Sequence, residues 1–252
     1  MNQARTRIKI CGLTREQDVD AAVAAGADAV GFVLYEPSAR YVSAQRAAEL
    51  AARLPPFVIP VLLFVNASAT EIIAACSLIP NALVQFHGDE TPEICLRIAR
   101  PFIKAARIPI SAETHESPFN TPLNFDLVKY TQDFKSAQAI LLDAHVEGFG
   151  GSGKTFNWSL LPPSVNAHLV LSGGLTPANV GDGILQVWPR GKTLAVDVSS
   201  GVEEQLPNGL PRKGIKDSEL INQFVAAVRA ADVLIANQFV EKAFEHVRVP
   251  TT

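Results

Sequence analysis

Eight short apolar runs, rich in Val, Ile and Leu, alternate with helical patterns along 252 residues, and they predict an α/β fold closed as a (β/α)8 barrel. Three observations carry that prediction. The runs are continuously apolar, as suits strands buried on both faces of a parallel sheet. The segments between most of them repeat apolar residues at helical spacing. Eight such units in this length favour a closed TIM barrel over an open doubly wound sheet. No linker or composition break divides the chain, so one domain is expected over residues 1–252. Its core covers about 7–230, and a C-terminal helical extension covers about 231–252.

The first strand is Arg7–Cys11, closed by Gly12. Thr14 is positioned to cap a helix over Arg15–Ala25, and Gly26 to end it. Ala29–Leu34 is the second strand; after a loop with Pro37 and Arg40, Ser43 caps a helix over Ala44–Arg53. The cycle repeats with strand Ile59–Val65 and helix Ser68–Leu78, then strand Ala82–Phe86 and helix Thr91–Ala99. Phe102–Ala106 is the fifth strand. Prolines 109, 118 and 122 make the next stretch loop-like, with a short helix over Phe125–Thr131. Ala139–Leu142 is the sixth strand, and only a helical turn over Trp158–Leu161 fits before Pro162-Pro163. His168–Leu171 is the seventh strand, and Thr176-Pro177 suits an N-cap and N1 pair for a helix through Leu185. Lys192–Val198 is the eighth, a polar Gly/Pro-rich loop follows over Glu204–Lys216, and Asp217 opens a long helical pattern.

A formal net charge of −3 gives no basic bias toward nucleic acid or membrane. Three cysteines, Cys11, Cys76 and Cys95, are too few for a disulfide framework and point to a reducing, cytoplasmic compartment. The N-terminal residues run into the first strand with no apolar signal region, and no run approaches the ~20 residues that span a bilayer.

Gly148, Gly153, Lys154 and Thr155 match the P-loop pattern of nucleotide triphosphatases. A P-loop needs a strand directly before the glycines and a helix starting at the lysine. Here Ala144-His145-Val146-Glu147 intervenes, and Pro162-Pro163 would break the helix early. The loop reads instead as one that closes over a small substrate, with Gly151, Ser152 and Gly153 facing it.

Reacting groups of a barrel sit at the C-terminal ends of its strands. Those ends carry Cys11, Arg40, Asn66, His87 and Asp143, then Gly173-Gly174 and Ser199-Ser200. The last two pairs, with Gly201 opening a short helical turn, form small-residue loops after strands seven and eight, a recurring phosphate site. Ordinary tight turns would look the same. Asp143 follows four apolar residues and faces the mouth, which favours a functional carboxylate. Cys11 is as readily a small buried hydrophobe as a reacting thiol. Arg40 could hold a carboxylate through its fork of donors or lie on the surface. His87 could orient a ligand or satisfy a turn. Lys9 shares the inward face of Cys11 and is expected to pair with Asp197 in the interior, in a structural role.

Several stretches together resemble one family. They are Lys9-Ile-Cys-Gly-Leu-Thr14, Gly31-Phe-Val-Leu-Tyr35, Ser38-Ala-Arg-Tyr-Val-Ser43, Phe64-Val-Asn66 and Val84-Gln-Phe-His-Gly88. Further along come Leu141-Leu-Asp143 with Gly150-Gly-Ser-Gly-Lys-Thr-Phe-Asn-Trp158, Leu171-Ser-Gly-Gly-Leu175 and Val196-Asp-Val-Ser-Ser-Gly-Val-Glu203. In order and content they resemble phosphoribosylanthranilate isomerase, a TIM barrel of tryptophan biosynthesis. The resemblance implies an Amadori rearrangement of N-(5-phosphoribosyl)anthranilate without a cofactor or metal. It implies Cys11 as general base, Asp143 as general acid and Arg40 as the contact for the anthranilate carboxylate. His87 and the loop at Gly151, Ser152 and Gly153 would bind substrate. The turns at Gly173, Gly174, Ser199, Ser200 and Gly201 would take the phosphate. A related histidine-pathway isomerase carries an aspartate where Cys11 stands, and a phosphosugar-binding barrel without activity would lack the base or the acid.

Two stretches depart from the family pattern. The loop at 204–216 looks long, and the chain continues past the expected last helix. Phe224, Val228, Ala231, Ile235 and Phe239 keep one helical phase into this extension. It reads as one overlong helix, two helices broken near Asp232, or an oligomer contact, which exposed Phe239 and Phe244 would favour. A monomer or homodimer is expected.

Overall fold

The computed structural model describes residues 5–109, 125–145 and 155–247. Within them, eight parallel strands close into a barrel in chain order. They are β1 (Arg7–Cys11), β2 (Ala29–Val33), β3 (Ile59–Phe64), β4 (Leu83–Phe86), β5 (Phe102–Pro109), β6 (Ala139–His145), β7 (His168–Leu171) and β8 (Thr193–Val198). β1 pairs with β2 on one side and β8 on the other, and that closure sets Lys9 beside Asp197 in register. Alternate strand residues point outward, where Ile8, Ile10, Phe32, Leu62, Phe64 and Phe86 pack under the helices in one continuous core. Ile103, Ala105, Leu141 and Val170 form a smaller inner cluster, and Cys11, Val33, Leu63 and Val65 form another beside it.

The helices are α1 (Glu16–Ala24), α2 (Ala44–Ala51), α3 (Ala69–Leu78), α4 (Pro92–Arg97), α5 (Leu127–Asp133), α6 (Val180–Val187) and α7 (Ser218–Val247). Between β6 and β7 the described residues hold only the turn Trp158–Leu160, as Pro162-Pro163 requires. Ser43 caps α2 as expected, and Ser68, read as the first residue of its helix, caps α3. At Ser68 the cap is reciprocal: its hydroxyl accepts the Glu71 N–H, and the Glu71 carboxylate accepts the Ser68 N–H. Ser68→Ala should therefore cost about 1 kcal/mol in a urea unfolding curve, with activity unchanged.

Several boundaries differ from the expectations, each for a local reason. Thr14 does not cap α1; its hydroxyl donates to the Gly214 carbonyl at 2.7 Å, and Arg15 stands at the N-cap without a side-chain capping bond. The helix expected from Thr176-Pro177 begins at Val180, because Asn179 Oδ1 accepts the Thr176 N–H and holds a turn there first. β5 and β6 run three residues further than their apolar cores, since Arg107, Ile108 and Pro109 pair with Asp143, Ala144 and His145. Asp143 thus lies on the strand rather than just beyond it. The polar loop at 204–216 is a hairpin of β9 (Glu203–Gln205) and β10 (Pro211–Lys216), turned at Gly209, which has a φ of 78°. Pro211 and Gly214 inside β10 hide the strand from sequence reading.

α7 continues unbroken through Asp232, whose carboxylate accepts the Thr6 N–H at 3.0 Å and the Arg229 guanidinium at 2.8 Å. Ile221, Phe224, Val228, Ala231 and Ile235 are buried along one side of it. Phe239 is 46% exposed, its ring edge-on to Trp188 at 5.2 Å; the Phe244 side chain lies outside the described residues. No helix among the described residues is long and apolar enough to cross a membrane.

Candidate active site

The C-terminal ends of the strands surround an open cavity of about 800 Å³. Cys11, Arg40, His87, Asp143, Gly173, Gly174, Ser199 and Ser200 all line it. Val33, Leu63 and Val65 give one wall an apolar face, and Tyr35 packs against the same cluster. Sequence reading missed that wall, together with Ser172, whose hydroxyl donates to Asp197 at 3.3 Å. Asn66 does not line the cavity; its Oδ1 accepts the Asp89 N–H at 2.7 Å and ties the ends of β3 and β4 together. Gly151, Ser152 and Gly153 lie outside the described residues. The P-loop reading fails on its helix, because Thr155, Phe156 and Asn157 are not helical.

Lys9 Nζ donates to Asp197 Oδ1 at 2.8 Å with both side chains buried, as the inward-face argument required. Burial works against the Lys9 charge, but Asp197 and Cys11 outweigh it and hold the ammonium above its ordinary pKa. Lys9 Nζ also lies beside the Cys11 thiol, both groups facing Gly31. Burial pushes that thiol up and Asp197 adds to the rise. The Lys9 ammonium pulls the other way, helped more weakly by Lys216.

Arg40 is buried, not on the surface. Its Nε and Nη2 donate to the two Glu203 oxygens at 2.7 and 2.8 Å. Glu203 also accepts from Lys216 Nζ at 3.2 Å and from the Gly214 N–H at 2.8 Å. Lys216 reaches on to the Ser199 carbonyl at 2.9 Å. Burial lowers the Lys216 pKa to about 8, although Glu203 opposes the drop. This cluster joins the Arg40 loop to the turn after β8. Sequence reading missed Lys216, which there looks like one more polar loop residue.

Asp143 is partly exposed to the cavity, and its Oδ2 lies 3.0 Å from His87 Nε2. The other ring nitrogen, Nδ1, lies 3.0 Å from Gln85 Nε2. Both nitrogens of His87 therefore face protein groups. The turns after β7 and β8 meet: a Cβ on Gly201 would fall 1.9 Å from the Leu175 carbonyl oxygen, so only glycine fits. Ser200–Val202 forms a single helical turn there, the short helix start expected from sequence. Among the described residues, no group of three or more His, Cys, Asp and Glu side chains is arranged to hold a metal ion.

The model of one family, described as N-(5'phosphoribosyl)anthranilate (PRA) isomerase, matches residues 8–227. N-(5'-phosphoribosyl)anthranilate isomerase of Methylibium petroleiphilum is 57% identical over 232 residues, covering 92% of this chain and 98% of that protein. Among solved structures, phosphoribosyl anthranilate isomerase in complex with reduced 1-(o-carboxyphenylamino)-1-deoxyribulose 5-phosphate is 37% identical, with a TM-score of 0.67. That match covers 89% of this chain and 99% of the other. Mutually generated monomers of the dimeric phosphoribosylanthranilate isomerase from Thermotoga maritima are 34% identical, with a TM-score of 0.66 and coverage of 89% and 98%.

Proposed function

The chain belongs to the N-(5'-phosphoribosyl)anthranilate isomerase family, and from that membership we infer how the residues of its mouth divide the work. The enzyme catalyses the Amadori rearrangement of N-(5-phosphoribosyl)anthranilate to 1-(2-carboxyphenylamino)-1-deoxyribulose 5-phosphate in tryptophan biosynthesis. The observation that carries the assignment of roles is the shared cavity of Cys11 and Asp143, a thiol and a carboxyl brought together from 132 positions apart in the chain.

Asp143 is the general acid. It protonates the ribose ring oxygen as the anilinic nitrogen pushes the ring open to an iminium ion. Cys11 is the general base. It takes the C2′ proton, and the resulting enolamine tautomerises to the ketone. The acid must start protonated and the base ionised, whereas a free carboxyl near 3.9 and a free thiol near 8.5 would be the reverse. The iminium formed in the first step favours the thiolate needed in the second. Lys9 supplies a standing positive charge toward the same end.

The apolar wall of Val33, Leu63 and Val65 receives the anthranilate ring. Glu203 already holds Arg40 Nε and Nη2, so a ligand carboxylate meets the Nη1 edge rather than the fork. The phosphate binds the N–H groups of the turns at Gly173, Gly174, Ser199, Ser200 and Gly201. His87 walls the cavity, and the loop at Gly151, Ser152 and Gly153 closes over the substrate. The enzyme acts in a reducing cytoplasm, where Cys11, Cys76 and Cys95 stay free thiols, as a monomer or homodimer.

Purified protein mixed with freshly made phosphoribosylanthranilate should speed the loss of anthranilate-type fluorescence, with no metal or nucleotide added. Decay no faster than the spontaneous background overturns the activity. Gly201→Ala, which forces the two phosphate turns apart, should raise KM for the same substrate by about 10- to 100-fold, the loss of one or two charge-assisted hydrogen bonds. An unchanged KM would remove the phosphate from these turns.

A further inference from the structure

We propose that His87 is a positioning residue for the acid: its Nε2–H, fixed by Gln85 behind it, holds Asp143 Oδ2 and leaves Oδ1 as the oxygen that carries the transferred proton. This deepens the proposed role of Asp143 and rests on it.

The hydrogen-bond chain sets the tautomer. Gln85 is fully buried on β4, and its Nε2 lies against His87 Nδ1. An amide N–H donates, so Nδ1 accepts and the ring proton sits on Nε2. Gln85 Oε1 is then a buried acceptor without a hydrogen-bond partner among the described residues. Reversing the amide would move the ring proton to Nδ1 and set the Nε2 lone pair against the Asp143 carboxylate, acceptor against acceptor, so the first arrangement is favoured. From Nε2 the proton donates to Asp143 Oδ2 at 3.0 Å.

An oxygen that accepts this bond is a poor place for the acid proton. The proton goes to Oδ1, which points at the turn after β7: a Cβ on Gly173 would lie 2.8 Å from it. Gly173 lines the cavity, so the arrangement presents Oδ1 to bound substrate. It also gives Gly173 a second reason to lack a side chain. With φ at 79° it turns the chain, and without Cβ it leaves Oδ1 uncovered. Once Asp143 has given up its proton, the His87 N–H stabilises the carboxylate that remains.

The other ionisable groups around the pair are Cys11, Tyr35, Arg40 and Asp197 in the cavity, Lys9 behind Cys11, and Arg107 paired with Asp143 across β5 and β6. All six persist in the variants below, so a shift between variants belongs to the His87–Asp143 bond. Losing His87 leaves Asp143 Oδ2 without its donor, so the acid proton is no longer confined to Oδ1.

His87→Leu should lower kcat about 100-fold with KM within about threefold. His87→Gln, which keeps a donor near Nε2, should return kcat to within about tenfold of the parent. His87→Asn is polar but too short to reach Asp143. It should behave as His87→Leu does and stands in should the leucine variant not fold. A loss the glutamine does not rescue, or one that falls on KM rather than kcat, overturns the proposal and leaves His87 a packing residue. Asp143→Asn in the same series separates the two layers. If it is inactive while His87→Leu matches the parent, only the positioning role fails; if it retains activity, the acid assignment itself fails.

Discussion

Cys11→Ser and Asp143→Asn are each expected to lower kcat by about 1,000-fold or more, while a reduced product analogue binds within a few-fold of the parent. A serine hydroxyl occupies nearly the space of the thiol but is far too weak an acid to be ionised beside Lys9. The C2′ proton then has no acceptor. Asparagine keeps the shape of Asp143 and can still face His87, yet it has no proton to give the ribose oxygen. Neither change removes a charge that binds the substrate's carboxylate or phosphate, so the loss should fall on kcat and spare KM. The double variant should be little worse than either single one, because each group acts on an intermediate that the other makes possible. Single-turnover fluorescence with isothermal binding of the analogue measures both quantities. Turnover retained in either variant would overturn its assignment, and an equal loss of binding would make the residue a contact rather than an acid or base.

How much of this was legible in the sequence depends on whether the signal was local. The barrel was legible because burial on both faces makes each strand an unbroken apolar run and because eight of them fit the length. Lys9 and Asp197 could be paired before any coordinates, since strand alternation gives the face and closure of the barrel brings β8 beside β1. Strand ends were less legible. Asp143 looked as if it lay just past β6 because the apolar run stops at Leu142, but pairing with Arg107 and Ile108 carries the strand to His145. A ladder is a property of two segments, and one segment read alone does not show it.

The cavity's chemistry was legible where a residue type is out of place, as a carboxylate after four apolar residues is. It was not legible where ordinary residues become unusual by being buried. Lys216 sits in a Gly/Pro-rich stretch that reads as solvent loop, and only the hairpin of β9 and β10 folds it under the mouth. Gln85 alternates with apolar neighbours as any strand residue does; its contact with His87, just past the end of the same strand, gives it a role. The direction of the Arg40 fork depended on Glu203, 163 positions away.

Glu203 is where the second large effect is expected. Glu203→Leu should cost about 3–5 kcal/mol of stability, a fall in Tm of roughly 10 °C, because it leaves two buried cations without their shared anion. The two cations answer differently. Lys216, with a pKa of about 8 even beside Glu203, can shed its proton and become neutral. Arg40 cannot, since a guanidinium stays charged in proteins, so most of the cost falls there. The effect also has a sign in pH. Burial pushes the Glu203 carboxyl up, but the Arg40 hydrogen bond outweighs it with help from Lys216 and the Gly214 N–H, and the net pKa is lowered. A group held below its unfolded value stabilises the fold above that value, near 4.5, and loses this contribution as pH falls through the folded value. Parent protein should therefore lose stability on acidification below about pH 4.5 more steeply than Glu203→Gln, which keeps the shape of the side chain and cannot titrate. Urea midpoints at a series of pH values measure the difference. Parallel curves would mean that Glu203 contributes nothing through its charge, and that Arg40 is held in place by packing alone.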